Sequence, residues 1–224
     1  MAKSFPNTGA TVIDSSADLP AASGALEGVM MFQKDTNELK ICDGSSWISM
    51  LDTDTPPGLV HISSFATGSV TSYPINNVFS SAFTNYKLIL RQVAAASTDI
   101  DVALRLRTSG TDATTNYQTM GQYMQDNGTG SAYIGTNASL WYLGQADGAT
   151  VGPYYAASID IYSPFVNAQT FATTLVSTVS QAGFSTGFWL SHNRSVSASH
   201  DGFTLLAPTG ATISLSGTIY GYKG

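Results

Sequence analysis

The sequence predicts an all-β protein: a small N-terminal β-meander followed by an antiparallel, jelly-roll-like β-sandwich. Three observations carry this. Apolar and polar residues alternate over many short runs, the period of a half-buried strand. Gly, Asn, Asp and Ser clusters separate those runs as turns do. Glutamate occurs only at Glu27 and Glu38, and stretches of strong helix formers are absent, which argues against long amphipathic helices.

Taken in order, residues 1 to about 24 are rich in Ser, Ala, Thr, Pro and Gly without sustained periodicity and read as an extended or weakly ordered arm. Three short strand-like runs follow, Gly28–Gln33, Glu38–Cys42 and Ser46–Met50. Lys34-Asp35-Thr36-Asn37 and Asp43-Gly44-Ser45 supply the turns between them, Asp-Gly offering a position that takes positive φ cheaply. A meander of this size buries too little apolar surface to stand alone. Its apolar side chains, among them Met30, Phe32, Leu39, Ile41 and Trp47, therefore require a partner surface, and identical copies around a shared axis are the expected one. Asp52-Thr53-Asp54-Thr55-Pro56-Pro57-Gly58 reads as a linker, because two prolines hold the chain extended and donate no ladder hydrogen bonds. Its Asp-x-Asp pair lacks the Gly and bidentate Glu of a calcium loop. The domain boundary falls there, giving an arm and hairpin module over 1–55 and a sandwich body over 56–224.

From about Val60 to Tyr222 strand-like runs alternate with turns. Tyr86, Leu88 and Leu90 alternate with Lys87 and Arg91; Val102, Leu104 and Leu106 with Arg105 and Arg107; Ala157, Ile159 and Ile161 with Ser158 and Asp160. Further runs cover Tyr117–Met124, Gln169–Val179, Gly183–Leu190, Gly202–Leu206 and Ala211–Tyr222. Ser109-Gly110, Asp126-Asn127-Gly128, Asp147-Gly148 and Thr209-Gly210 are the turn signals. About eight antiparallel strands in such a stretch fit a sandwich of jelly-roll type.

Composition narrows the function. Only 11% of residues are charged, against about 25% in ordinary soluble domains, while Ser and Thr make up roughly a quarter. A net charge of −6 with no basic stripe argues against a nucleic-acid partner. Arg105 and Arg107 share one strand face, and two cations are fewer than phosphate binding recruits. No run approaches the ~20 apolar residues of a membrane span, so no membrane insertion is expected. Cys42 is the only cysteine, which fits folding in a cytoplasm without disulfides and a packed thiol rather than a nucleophile.

Residues 28–47 resemble a short module near the start of many bacteriophage tail-fibre and virion proteins. The matching residues are Gly28, Met30 and Phe32, the Asp35-Thr36-Asn37 turn, Leu39-Lys40-Ile41, the Asp43-Gly44 turn and Trp47, with Ala17-Asp18-Leu19-Pro20 as lead-in. The second part resembles C-terminal sandwich domains of phage structural proteins. It does so through the stretches 83–90 (FTNYKLIL), 104–112 (LRLRTSGTD) and 217–224 (GTIYGYKG). The resemblance implies a non-enzymatic virion structural protein, a homotrimeric tail fibre or tail-associated adhesin assembled in the host cytoplasm. Its partners would be further copies of itself, other virion proteins and a host-surface glycan. A capsid-mounted fibre or decoration protein fits the same residues, as does a carbohydrate-binding module, and no coiled-coil heptad stem is present.

Searches for catalytic chemistry return little. His192 and His200 lie eight positions apart with His61 remote, unlike the three-to-five spacing of zinc motifs, so no metal or other cofactor is expected. Gly183-Phe184-Ser185-Thr186-Gly187 matches a nucleophile elbow on paper, but a strand rather than a helix follows and no histidine comes after Asp201. The carboxylates are scattered instead of paired as glycoside hydrolysis needs. Trp141-Tyr142, Tyr154-Tyr155 and Phe188-Trp189 are aromatic pairs near turns, suited to sugar faces or interfaces. Successive strand residues face opposite ways, so one of each pair belongs to the core. Trp141 and Tyr154 are the candidate receptor contacts.

Overall fold

The computed structural model describes residues 11–50, 58–95, 100–146, 155–179 and 184–223, and it is all-β apart from one 3-10 turn at Ser16–Asp18. The chain divides into two compact units, one within Met1–Pro57 and one of Gly58–Lys223. The 52–57 part of the expected linker, the Asp147-Gly148 turn, Tyr154 and Gly183 lie outside the described residues.

In the first unit, β1 (Thr11–Ile13), β2 (Met30–Gln33), β3 (Glu38–Cys42) and β4 (Trp47–Ser49) form one sheet in that order. The expected meander is β2–β4. Its turns place Asn37 at φ 56° and Gly44 at φ 92°, left-handed conformations that Asn and Gly adopt at least cost. The Asp43 carboxylate accepts the Ser45 and Ser46 N–H groups at 2.8 and 2.6 Å, which holds its pKa below the usual range. The arm departs from its expectation: Thr11–Ile13 is a strand, paired in parallel with β2. Three residues are too short a run for periodicity to register.

The second unit contains thirteen strands among its described residues, not about eight. They are β5 (Gly58–Ala66), β6 (Ser72–Ile75), β7 (Asn85–Ala95), β8 (Ile100–Thr108), β9 (Thr111–Asp112), β10 (Tyr117–Gln125), β11 (Gly130–Ala138), β12 (Trp141–Ala146), β13 (Tyr155–Tyr162), β14 (Ala168–Val179), β15 (Ser185–Ala198), β16 (Gly202–Leu206) and β17 (Ile213–Lys223). The larger sheet runs β11-β10-β15-β14-β13-β7-β17-β5, and the smaller runs β12-β8-β16-β6 with β9 on β8. Within these, β5, β7, β13 and β17 of the larger sheet are matched by β6, β8, β12 and β16 of the smaller, the chain crossing between sheets from β5 through β8. The hairpins β10–β11 and β14–β15 are insertions that widen only the larger sheet.

The core lies between the two sheets. Leu88, Leu90 and Ile159 of the larger sheet meet Leu104, Leu106 and Leu205 of the smaller, all at 0–1% exposure. Alternation explains the faces. In β14 Ala172 and Val176 point inward while Phe171 and Leu175 point out, 49% and 55% exposed. Two buried tyrosine hydroxyls find backbone partners in the core. The Tyr86 hydroxyl donates to the Ser80 carbonyl at 2.8 Å and accepts the Ser80 N–H at 2.7 Å, while Tyr155 donates to the Leu143 carbonyl at 2.7 Å.

Candidate functional site

Two features of the molecule have the form of binding surfaces, one in each unit. The first is a face of the N-terminal sheet. Register places Met30 opposite Ile41, Phe32 opposite Leu39, Ile41 opposite Ile48, and Val12 beside Phe32. Directly paired residues share a face, so these six side chains form one apolar surface. Met50, whose N–H donates to the Leu39 carbonyl, extends it. Val12, Met30, Ile48 and Met50 are 43–55% exposed. The opposite face carries Lys40, Glu38, Cys42 and Trp47 and is strapped by the preceding segment. The Trp47 indole donates to the Pro20 carbonyl at 2.8 Å, and Cys42 Sγ lies 3.8 Å from the Ser23 carbonyl. Of the five interface residues expected from sequence, Met30, Phe32, Leu39 and Ile41 share the open face, whereas Trp47 belongs to the strapped one.

The second feature is a cavity of about 330 Å³ between the sheets of the sandwich. Four rings wall it. Tyr133 (β11) stacks on Tyr142 (β12) with centroids 4.4 Å apart; Phe188 (β15) packs against Tyr142 at 6.2 Å and against Tyr123 (β10) at 5.6 Å. Burial pushes the Tyr133 and Tyr142 hydroxyls up, with the nearby Asp101 carboxylate adding to both. Asp101 and Gln145 line it from the smaller sheet, Gln145 donating to Asp101 Oδ1 at 3.1 Å. Thr178 and Thr186, directly opposite each other on β14 and β15, line it from the larger sheet. The Thr178 hydroxyl is buried and has no hydrogen-bond partner.

A bulge builds this wall. Tyr142 pairs with Ala103 and Gln145 with Asp101, so β12 carries one more residue than β8 between the two pairs. Three positions apart on a regular strand, Tyr142 and Gln145 would face opposite ways; the extra residue brings both to the cavity. Gly144 absorbs the distortion at φ 99°, and the Phe188 ring lies only 3.2 Å from where a Cβ would stand. A glycine inside a strand is the signal by which sequence could have found the bulge.

Of the two expected receptor contacts, Trp141 does not line the cavity. Trp141 is fully buried, T-stacked on Tyr117 at 5.6 Å with its indole donating to the Asn193 carbonyl at 3.1 Å, so its ring belongs to the core and not to the surface. Its neighbour Tyr142 is the member of the pair that reaches the cavity. Tyr154 lies outside the described residues, and Tyr155 is core. Phe188 points in and Trp189 out, 47% exposed opposite Leu175.

The histidines are occupied. His192 is buried on β15, its Nδ1 3.1 Å from the Thr119 hydroxyl and its Nε2 2.9 Å from that of Thr174. Burial drives its pKa down to about 3. His200 sits between the Thr108 hydroxyl at 3.1 Å and the Arg194 guanidinium at 3.2 Å, and burial followed by that cation lowers it to about 4. Ser185 opens β15 as a strand residue paired with Val179. Arg107 bonds Asp112, the Gly110 carbonyl and, at 2.7 Å, the Thr204 hydroxyl, while Arg105 donates to the Ser139 carbonyl at 3.1 Å. Both arginines therefore brace the smaller sheet. Among the described residues no helix is long and apolar enough to cross a membrane. No protein-family model matches the chain, and no curated protein matches it at a significant level.

Proposed function

We propose that this chain is a non-enzymatic structural subunit of a bacteriophage particle, a homotrimeric tail fibre or tail-associated adhesin whose N-terminal sheet packs against its own copies. The observation that supports it most is the apolar face of Val12, Met30, Phe32, Leu39, Ile41, Ile48 and Met50, of which four are 43–55% exposed. Covering a half-exposed side chain of this kind is worth on the order of 1 kcal/mol, and large exposed apolar patches mark interaction surfaces. Copies around a rotation axis would shield the face symmetrically and leave the strapped face outward. The resemblance of residues 28–47 to the leading module of virion proteins points the same way. The hydrogen-bonded burial of His192 and His200 weighs against either as a catalytic base.

Size-exclusion chromatography with light scattering tests the reading. The full chain at micromolar concentration is expected near three times 23.5 kDa. The double variant Phe32→Asp, Ile48→Asp is expected as a monomer with an unchanged β-type circular dichroism spectrum. A wild-type chain that stays monomeric at that concentration overturns the proposal.

A further inference from the structure

We propose that the aromatic cavity of the sandwich binds a small organic cation bearing a trimethylammonium group. Tyr123, Tyr133, Tyr142 and Phe188 wall it together with one carboxylate, that of Asp101. The face of an aromatic ring carries partial negative charge, so several rings around one centre attract a cation that has shed its water. A quaternary ammonium suits such a site better than a primary one. It has no N–H groups in need of acceptors, and its methyl groups gain by leaving water. The ring angles favour a rounded group over a flat one. Tyr133 and Tyr142 stack on each other at 4.4 Å and 18°, which leaves no slot between them for a planar ligand. The Phe188 ring stands at 72° to Tyr142, and Tyr123 at 38° to Phe188, so the walls meet at angles and enclose a compact shape. A volume of about 330 Å³ lies at the small end of the range for ligand pockets, about 300–1,000 Å³, as a small cation requires.

Charge complementarity names the occupant. Asp101 is the sole charged residue among the described lining residues, so a bound cation meets a carboxylate and no competing Lys or Arg. Gln145 donates to Asp101 Oδ1 at 3.1 Å and fixes that carboxylate on the wall. Its negative field reaches the rings, since Asp101 adds to burial in raising the Tyr133 and Tyr142 hydroxyls. The backbone is shaped around the same wall. The bulge at Gly144 turns Tyr142 and Gln145 to the cavity at the expense of a regular ladder, presenting a ring and the holder of the carboxylate together. Gln145 is exposed, and Asp101 and Tyr133 are half-buried, so the charged side of the cavity is the side that meets solvent. The inference does not depend on the assembly state, and light scattering reports on that separately.

Saturation-transfer NMR titration of the full chain tests it, with tetramethylammonium and choline as probes. Saturation on the N-methyl protons of both is expected. The uncharged tert-butyl isostere of choline, in which carbon replaces nitrogen, should bind roughly tenfold more weakly or worse. Phosphocholine should be weakened to a similar degree, because the Asp101 carboxylate repels its phosphate, and this arm separates a free cation from a phosphorylated headgroup. Asp101→Asn removes the charge and keeps the shape, while Tyr133→Leu removes a ring and keeps an apolar side chain. Each should weaken choline binding roughly tenfold or more. Trp189→Ala, on the outer face of the same strand as Phe188, should leave it unchanged. Should Tyr133→Leu fail to fold by circular dichroism, Asp101→Asn alone decides. Silence from both probes with folded wild-type protein overturns the proposal. So does an isostere or phosphocholine that binds as tightly as choline, or choline binding that survives Asp101→Asn at full strength.

Discussion

The buried histidines set the acid limit of the sandwich. His192 and His200 are held neutral between hydroxyls and a guanidinium, with pKa values near 3 and 4, whereas in an unfolded chain each titrates near 6.5. Between those values the unfolded state binds protons that the folded state refuses. Stability is therefore complete above about pH 6.5 and falls as pH drops, by about 1.4 kcal/mol per pH unit for each histidine, until the folded pKa is reached. Ordinary carboxylates remain ionised in both states above about pH 5, so the window from 6.5 to 5 isolates the imidazoles. Urea unfolding at pH 7 and pH 5 should show the loss, and His192→Gln should flatten it by about half. An identical midpoint at both pH values would contradict the assignment. The sequence showed two histidines eight positions apart; that His192 sits deep on a strand followed only from which face of β15 turned inward.

At the scale of single elements, β12 shows how one residue redirects a strand. Alternation places Trp141 and Tyr142 on opposite faces, and that much is legible in the sequence, as is the reversal of Phe188 and Trp189. Which member of the first pair meets open space was not, because both are largely buried, one in the core and one in a cavity wall. Nor was the shared face of Tyr142 and Gln145, which depends on the extra residue in the pairing with β8. Gly144→Val tests this: at φ 99° and with Phe188 3.2 Å away, a branched side chain should destabilise the protein by about 1–3 kcal/mol. Thermal unfolding measures it, and a melting temperature within a degree of wild type would show that the bulge carries no strain. The N-terminal sheet gives the complementary case. Its turns were readable from Asp-Thr-Asn and Asp-Gly, and its apolar set was readable too. The separation of Trp47 from Met30, Phe32, Leu39 and Ile41 required the register, since only pairing assigns residues on different strands to a common face.

For the sandwich as a whole, topology governs behaviour. The last strand, β17, lies between β5 and β7, so Ser216–Lys223 pair with the first strand of the unit across the entire intervening chain. Pairings of such sequence separation close late and slowly. Deleting residues 213–224 should therefore leave two large-sheet strands without their shared partner and abolish cooperative unfolding, monitored by tyrosine and tryptophan fluorescence in urea. A truncated chain that unfolds with a wild-type midpoint would contradict this. The count of strands belongs to the same scale. The long alternating runs were visible, whereas β6, β9 and the Gly- and Asn-bearing β11 are too short or too turn-like to announce themselves, and they are strands because neighbours supply their hydrogen bonds.

The all-β class, the leading meander with its turns, and the surplus of apolar side chains there were fixed by the chain itself, because period, turn chemistry and missing helix formers are local properties. The wound pairing of first and last strands, the insertion of two hairpins into one sheet, and the aromatic cavity were decided only in three dimensions. They arise from contacts between residues far apart in the chain, and no local pattern encodes which strand a distant strand will meet.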